Sequence, residues 1–251
     1  MPDPVLLSLE TATMGGSVWL GFGDVELATR IGDPKVSQSA TLLNDISDSL
    51  AEAGVKLAEV DLFACASGPG SFTGLRIGIA TLKALAASLN RSCVGIPTLH
   101  AVAHAGGPST ATVALLPAGR GEVFAQLLAV SAARVVTELD SPAHLSPTML
   151  LAKYGGIKNL KWAGNGAHVQ RELLKQYARE QNIYFFEELI AEKKKEPGGG
   201  VWELAAPELN LAKHVAALAL QLFKSTAIQS PHSLKAIYVR PSDAELNQKC
   251  R

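Results

Sequence analysis

Residues 67–80 read Ser-Gly-Pro-Gly-Ser-Phe-Thr-Gly-Leu-Arg-Ile-Gly-Ile-Ala. A glycine-rich turn runs here into a helix whose own first turns contain glycine. Gly74 and Gly78 each cost a helix about 0.8–1 kcal/mol relative to alanine, so the pair requires something packed closely against it. Upstream, residues 62–66 (Leu-Phe-Ala-Cys-Ala) have the length and apolar content of a buried strand, and Ser67-Gly68-Pro69-Gly70 breaks it. Ser71 or Thr73 then offers a hydroxyl to the free N–H groups of the helix. Over residues 73–89, Leu75, Ile79, Leu82, Leu85 and Leu89 recur at helical spacing. Gly74, Gly78, Thr81 and Ser88 make a neighbouring strip of small residues. That strip predicts an interface. A strand, glycine-rich turn and helix N-terminus is also a geometry that holds phosphate. The spacing, however, fits neither G-x-x-x-x-G-K-[ST] nor G-x-G-x-x-G, so close packing is the favoured use.

Working outward, residues 5–9, 17–22 and 25–30 read as three strands joined by turns at Gly15-Gly16 and Gly23-Asp24. A helix over 37–53 follows, with Ala40, Leu43, Ile46, Leu50 and Ala53 on one face and Gly54 at its stop. After the glycine-rich helix come a strand at 93–96 and a helix begun at Pro97-Thr98. Three strands, helix, strand, helix, strand, helix is a meander feeding parallel crossovers. A similar order begins again at residue 111, with strands over 111–116, 122–129, 135–139 and 160–163. Helices are expected over 146–154, 168–180 and 207–224. The run Glu192-Lys193-Lys194-Lys195-Glu196, followed by Pro197 and three glycines, reads as a solvated loop.

Composition bounds the function classes. A compact chain of 251 residues buries roughly three quarters of its unfolded surface, and its 47% hydrophobic content supplies one large core or two modest ones. Its 23 basic and 23 acidic residues cancel, so no global field draws it to nucleic acid or an anionic membrane. Cys65, Cys93 and Cys250 are odd in number and far apart, which suits reduced thiols in the cytoplasm better than a disulfide framework. Residues 5–9 are too short an apolar run for a signal segment or a membrane span. A cytoplasmic protein without membrane contact is expected.

The glycine-rich block, together with Leu-Ser-Leu-Glu-Thr-Ala-Thr at residues 7–13, resembles the TsaB (YeaZ) family, within the glycoprotease M22-like, actin-like superfamily. The likeness continues through Gly121-Glu122-Val123-Phe124 and the terminal Ile237-Tyr238-Val239-Arg240-Pro241. The resemblance implies an α/β, two-lobed actin-like (ribonuclease-H-like) fold with a duplicated mixed sheet plus helices. We place an N-terminal lobe with partner-binding helices at 1–106, a smaller lobe at 107–251, and the link at Gly106-Gly107-Pro108-Ser109. It further implies a non-catalytic scaffold subunit in the formation of threonylcarbamoyladenosine at position 37 of tRNA. Its partners would be a TsaD-type transferase and a TsaE-type ATPase, with tRNA reached through the complex and a homodimer as an alternative state of the isolated chain. The family pairs through two helices from each subunit, which assigns the partner interface to Gly74, Leu75, Gly78, Ile79, Thr81, Leu82, Leu85, Leu43 and Ile46. On that assignment Gly78→Leu leaves the isolated chain folded and abolishes the pairing.

Residues with other chemistry point elsewhere. Glu10, Thr11, Ser67, Gly68, Gly70 and Ser71 would form a degenerate nucleotide site, with weak or no binding of ATP or ADP with magnesium and no cofactor. Glu10 stands where the family commonly has Asp. Pro117-Ala118-Gly119-Arg120 replaces its Asp-Ala-Arg, and Val36-Ser37 its His-Ser. His100 and His104 share one helical face, as metal ligands do, but no H-E-x-x-H pattern accompanies them. In the TsaD type the first metal histidine would fall on Thr98 of this chain. Two residues turn a helix by about 200°, which points His100 and His104 away from that position, so no metal site is expected. Ser17, Ser67 and Ser71 form no G-x-S-x-G elbow and read as turn and cap residues. The alternative function is an actin-like nucleotide-dependent enzyme using Glu10, or an M22-type peptidase, for which the sequence shows no catalytic centre.

Overall fold

The computed structural model describes residues 2–36, 38–187, 199–225 and 230–239. Ser37, the charged run with Pro197 and Gly198, and Arg240, Pro241 and Cys250 lie outside the described residues. The chain divides into two compact units, residues 1–101 with 209–251, and residues 102–208.

In the first unit, β1 (Val5–Glu10), β2 (Ser17–Phe22) and β3 (Val25–Ile31) form an antiparallel meander. The helix α1 (Gln38–Ala53) follows, then β4 (Leu62–Gly68), α2 (Phe72–Ser88), β5 (Ser92–Pro97) and α3 (Thr98–Ala105). β4 and β5 join in parallel, giving the order β3-β2-β1-β4-β5. Helices cover both faces of this sheet, which is why β1 and β4 read as near-continuous apolar runs rather than alternating ones. Leu7, Leu9, Val18 and Leu20 pack with Ile46, Leu50, Ile79 and Leu82 in one core. The helix α7 (Leu211–Lys224) packs on β1, β2, β4 and β5. Ala212 N–H donates to Ser17 Oγ at 2.9 Å, and Ser8 Oγ donates to Ala212 O at 2.8 Å.

The return of α7 corrects the expected division at 106/107: residues 209–251 belong with the first unit, not the second. The turn signal at Gly106-Gly107 is real, because Gly107 has φ +79°. A local turn, however, carries no information about which sheet a helix 100 residues later covers.

The second unit contains β6 (Ser109–Gly119), β7 (Glu122–Val130), β8 (Val136–Glu138), β9 (Ala143–Leu145), β10 (Asn159–Ala163), β11 (Tyr184–Glu187) and β12 (Val201–Leu204). Its sheet order is β11-β12-β10-β6-β7-β8, with β9 paired to β7. β6, β7 and β8 are antiparallel, and β10 and β12 join parallel to β6, so the order of the first sheet recurs. The repetition makes this an α/β fold of the actin-like class with a duplicated mixed sheet. The helices are α4 (Pro147–Tyr154), α5 (Asn165–Val169) and α6 (Arg171–Glu180). The single helix expected over 168–180 is broken at Gln170, whose side chain donates to Gly121 O at 2.8 Å. β8 lies within the strand expected over 135–139, whereas β9, β11 and β12, also of 3–4 residues, were not expected from the sequence. Trp162 and Trp202, both fully buried, meet edge to face at 4.9 Å in the core.

Candidate functional site

The residues singled out in the sequence converge at the carboxyl ends of β1 and β4. Glu10 ends β1 and is wholly buried. Its Oε1 accepts from Ala12 N–H at 2.5 Å and Thr13 N–H at 2.8 Å, and its Oε2 accepts from Thr13 Oγ1 at 2.6 Å. Burial raises the Glu10 pKa above the usual value near 4.5, against the lowering effect of these three donors. The carboxyl group thus clasps the turn that follows its own strand. Gln38, at the start of α1, donates to Thr13 O at 2.8 Å. A cleft beside this turn, lined by Glu10, Thr11, Gly16, Arg30, Gln38 and Asp45 among others, encloses about 10 Å³. That is about the room of one water, far below the roughly 300–1,000 Å³ of small-molecule sites.

The glycine-rich loop is equally occupied by its own chain. Gly68 N–H donates to Thr98 Oγ1 at 3.1 Å, and Ser71 N–H to Ala12 O at 2.7 Å. Ser71 is the N-cap of α2 and accepts from Gly74 N–H at 3.2 Å, while Leu75 N–H donates to Ser71 O at 2.8 Å. A Cβ on Gly70 would lie 2.4 Å from Ala12 O, and one on Gly68 would lie 2.3 Å from Ile237 O. The N–H groups of Gly68, Ser71, Gly74 and Leu75 are thus engaged within the molecule, and backbone lies close against Gly68 and Gly70.

Gly74 and Gly78 are explained by the same turn. A Cβ on Gly74 would sit 1.9 Å from Thr11 O, and one on Gly78 would sit 2.1 Å from Thr11 Oγ1. The small strip on α2 receives the β1–β2 turn of its own unit, not a second subunit. This corrects the interface assignment of both glycines. Leu75, Ile79, Leu82 and Ile46 are also buried inside the unit. Thr81 and Leu85 are half-buried, and Leu43 is 65% exposed. Helical spacing identified the packed face of α2, but it could not say that the packing partner lay on the same chain.

His100 is half-buried and His104 buried on α3. Among the described residues no group of three or more His, Cys, Asp or Glu is placed to hold a metal ion. Thr98 is fully buried and engaged with Gly68. Its contact with the loop is the feature that sequence reasoning misses, since Thr98 reads there as a helix start and as the place of a TsaD-type metal histidine. Cys65 and Cys93 are free, buried thiols on the adjacent strands β4 and β5, and burial pushes both pKa values up. Pro117-Ala118-Gly119-Arg120 closes the β6–β7 hairpin, with Arg120 at φ +52°. No helix among the described residues is long and apolar enough to cross a membrane.

Comparison with known proteins agrees with this architecture. A family model described as TsaD, tRNA N6-adenosine threonylcarbamoyltransferase, matches residues 37–237. The tRNA threonylcarbamoyladenosine biosynthesis protein TsaB of Escherichia coli K12 is 30% identical over 122 residues, covering 47% of this chain and 52% of that protein. TsaB of Haemophilus influenzae is 36% identical over 110 residues, covering 42% of this chain and 44% of its own. The matched segment thus spans about half the length of these relatives. The solved structure of YeaZ from Pseudomonas aeruginosa superposes with a TM-score of 0.70 at 22% identity, covering 94% of this chain and 99% of that one, which shows a common fold. The chain belongs to the family that the TsaD model describes, and proteins named TsaB are among the relatives it is similar to.

Proposed function

We propose that this protein is a non-catalytic subunit in the biosynthesis of threonylcarbamoyladenosine in tRNA, supporting a TsaD-type transferase by direct binding. One observation carries the reading: in both turns that would hold a nucleotide in an actin-like enzyme, polar groups are engaged by their own chain. Glu10 is consumed by Ala12 and Thr13, and the loop at 67–75 by Thr98, Ala12 and Ser71. The likeness to proteins named TsaB supports the pathway. The partner surface we assign is the outward side of α1 and α2, where Leu43, Arg76, Ala80, Ala84 and Ala87 are exposed. The alanines give an incoming helix close approach without the glycine strip. A TsaE-type ATPase and tRNA would join through the same assembly, and the setting would be the cytoplasm.

The test mixes the purified chain with a purified TsaD-type protein of the same organism and follows co-elution, alongside titration with ATP and magnesium. The expected result is a complex and, for the isolated chain, little or no heat from ATP. Micromolar ATP affinity with turnover abolished by Glu10→Gln would instead make the chain an enzyme. Failure to form any complex at micromolar concentration would remove the scaffold role.

A further inference from the structure

Residues 230–239 cross the first unit as a turn at 230–233 followed by a stretch with no helix or strand of its own. Leu234 is its single buried anchor, at 2% exposure, and belongs to the core that β1, α1 and α2 share. Its side chain fills a notch at Gly95 of β5, where a Cβ would meet Leu234 Cδ1 at 2.5 Å. Lys83 Nζ of α2 donates to Leu234 O at 3.3 Å. Three residues on, Ile237 N–H donates to Ser67 O at 2.6 Å, and Ile237 O occupies the notch left by Gly68, which has φ +112°. Tyr238 then lies against Phe72, with ring centroids 5.1 Å apart, and Arg76 covers Phe72 at 3.9 Å. Two glycines, a strand-end carbonyl and a lysine therefore form a groove that takes an extended peptide with a leucine at one position and a hydrogen-bonded backbone three residues later.

We propose that this segment is a latch, an intramolecular peptide ligand whose docking holds the glycine-rich loop and the first turn of α2 in place and whose release is local. These polar and close contacts fall on the end of β4, on β5 and on α2, whereas the β1–β2 turn closes the loop through Ala12. Leu234 is the segment's one fully buried side chain, and Ala236 packs partly buried against the same core. Ile237 and Tyr238 stay 37% and 47% exposed, so undocking removes far less buried surface than opening either sheet. With the latch released, Ser67 O loses its partner, Phe72 loses Tyr238, and the groove stands open to a competing extended peptide. The latch borders the glycine-rich loop and the face of α2 assigned to the transferase, since Arg76 belongs to both, but it rests on intramolecular contacts and holds whether or not the scaffold role does.

Hydrogen exchange of the full chain, resolved by peptide, tests it with Leu234→Asp, which blocks redocking. Amides in residues 67–76 should exchange at least tenfold faster, while those of β1 and β2 stay as protected as before. In a chain ending at residue 229, a synthetic peptide of residues 230–239 added in excess should slow exchange in 67–76 again. Ile237→Pro, which keeps the leucine and removes one N–H, gives the same pattern more weakly and serves if the aspartate variant does not fold. Equal acceleration throughout the first unit would make the segment an ordinary part of the core and overturn the proposal. Unchanged exchange in 67–76 would overturn it too.

Discussion

At the residue scale, Thr11 decides what the glycines of α2 are for. An alanine at a helical glycine gains about 0.8–1 kcal/mol in propensity, but the added methyl here meets Thr11 at less than contact distance. At Gly74 the obstacle is a backbone carbonyl, which cannot turn away. Gly74→Ala should therefore destabilise by about 1–3 kcal/mol, the usual cost of overpacking. At Gly78 the nearest atom is a side-chain hydroxyl, so Gly78→Ala should cost less, and Thr11→Ala should rescue it while leaving Gly74→Ala unrescued. Urea denaturation of the three single and two paired variants reads out the coupling. Gly78→Leu, far larger, should lower the melting temperature by many degrees. Glu10 supplies a pH-dependent test. A carboxyl whose folded pKa is raised favours folding most below its unfolded pKa, and that contribution is lost as pH rises through the folded pKa. Stability of the native chain should therefore fall relative to Glu10→Gln as pH climbs from the ordinary carboxylate range. Melting curves of both proteins between pH 4 and 8 should show the gap narrowing or reversing, and a constant gap would contradict the raised pKa.

At the element scale, two serines of the first meander hold the first turn of α7. Ser17 accepts the Ala212 N–H, a helix-terminal donor with no intrahelical partner, at a fully buried position. Ser17→Ala strands that donor and should cost about 1–3 kcal/mol, or roughly 2–12 °C in melting temperature at this chain length. Ser8→Ala should be milder, because the Ala212 carbonyl it frees still lies within the helix ladder. Calorimetry of the two variants ranks them. A larger loss for Ser8→Ala would mean that the strand hydroxyl, not the helix end, sets the balance. The sequence marked most elements because their periods are strong: residues 17–22 and 5–10 form strands, and α2 begins at its predicted serine cap. Strands of 3–4 residues are too short for a period to be decisive: β8 was marked, within 135–139, but β9, β11 and β12 were not.

At the scale of the whole molecule, the division of the chain predicts which pieces fold. Residues 102–208 contain every strand of the second sheet and the core built on Trp162 and Trp202. That fragment should melt cooperatively by circular dichroism. Residues 1–106 lack α7 and Leu234, so the face carrying Ser8 and Trp19 would be bare. This fragment should be insoluble or molten, and a cooperative melt from it would show that α7 adds only stability, not foldability.

What the sequence determined by itself was local: strand and helix periods, the Ser71 cap, the turn after β4, and the fact that Gly74 and Gly78 had to face something close. These follow from steric and hydrogen-bonding rules that act within about ten residues, and from a glycine cost that only packing can offset. Which atoms fill that space was decided by the tertiary structure alone. Thr11, some 60 residues earlier, enters the glycine strip; Thr98 takes the Gly68 N–H; and Leu234 and Ile237 return from the far end of the chain to Gly95 and Gly68. Periodicity gives a residue's face but not the identity of what that face meets, and the same glycine strip would have read alike had a second subunit filled it. The difference between a nucleotide loop and a self-filled one lies in long-range hydrogen bonds that no spacing in the sequence encodes.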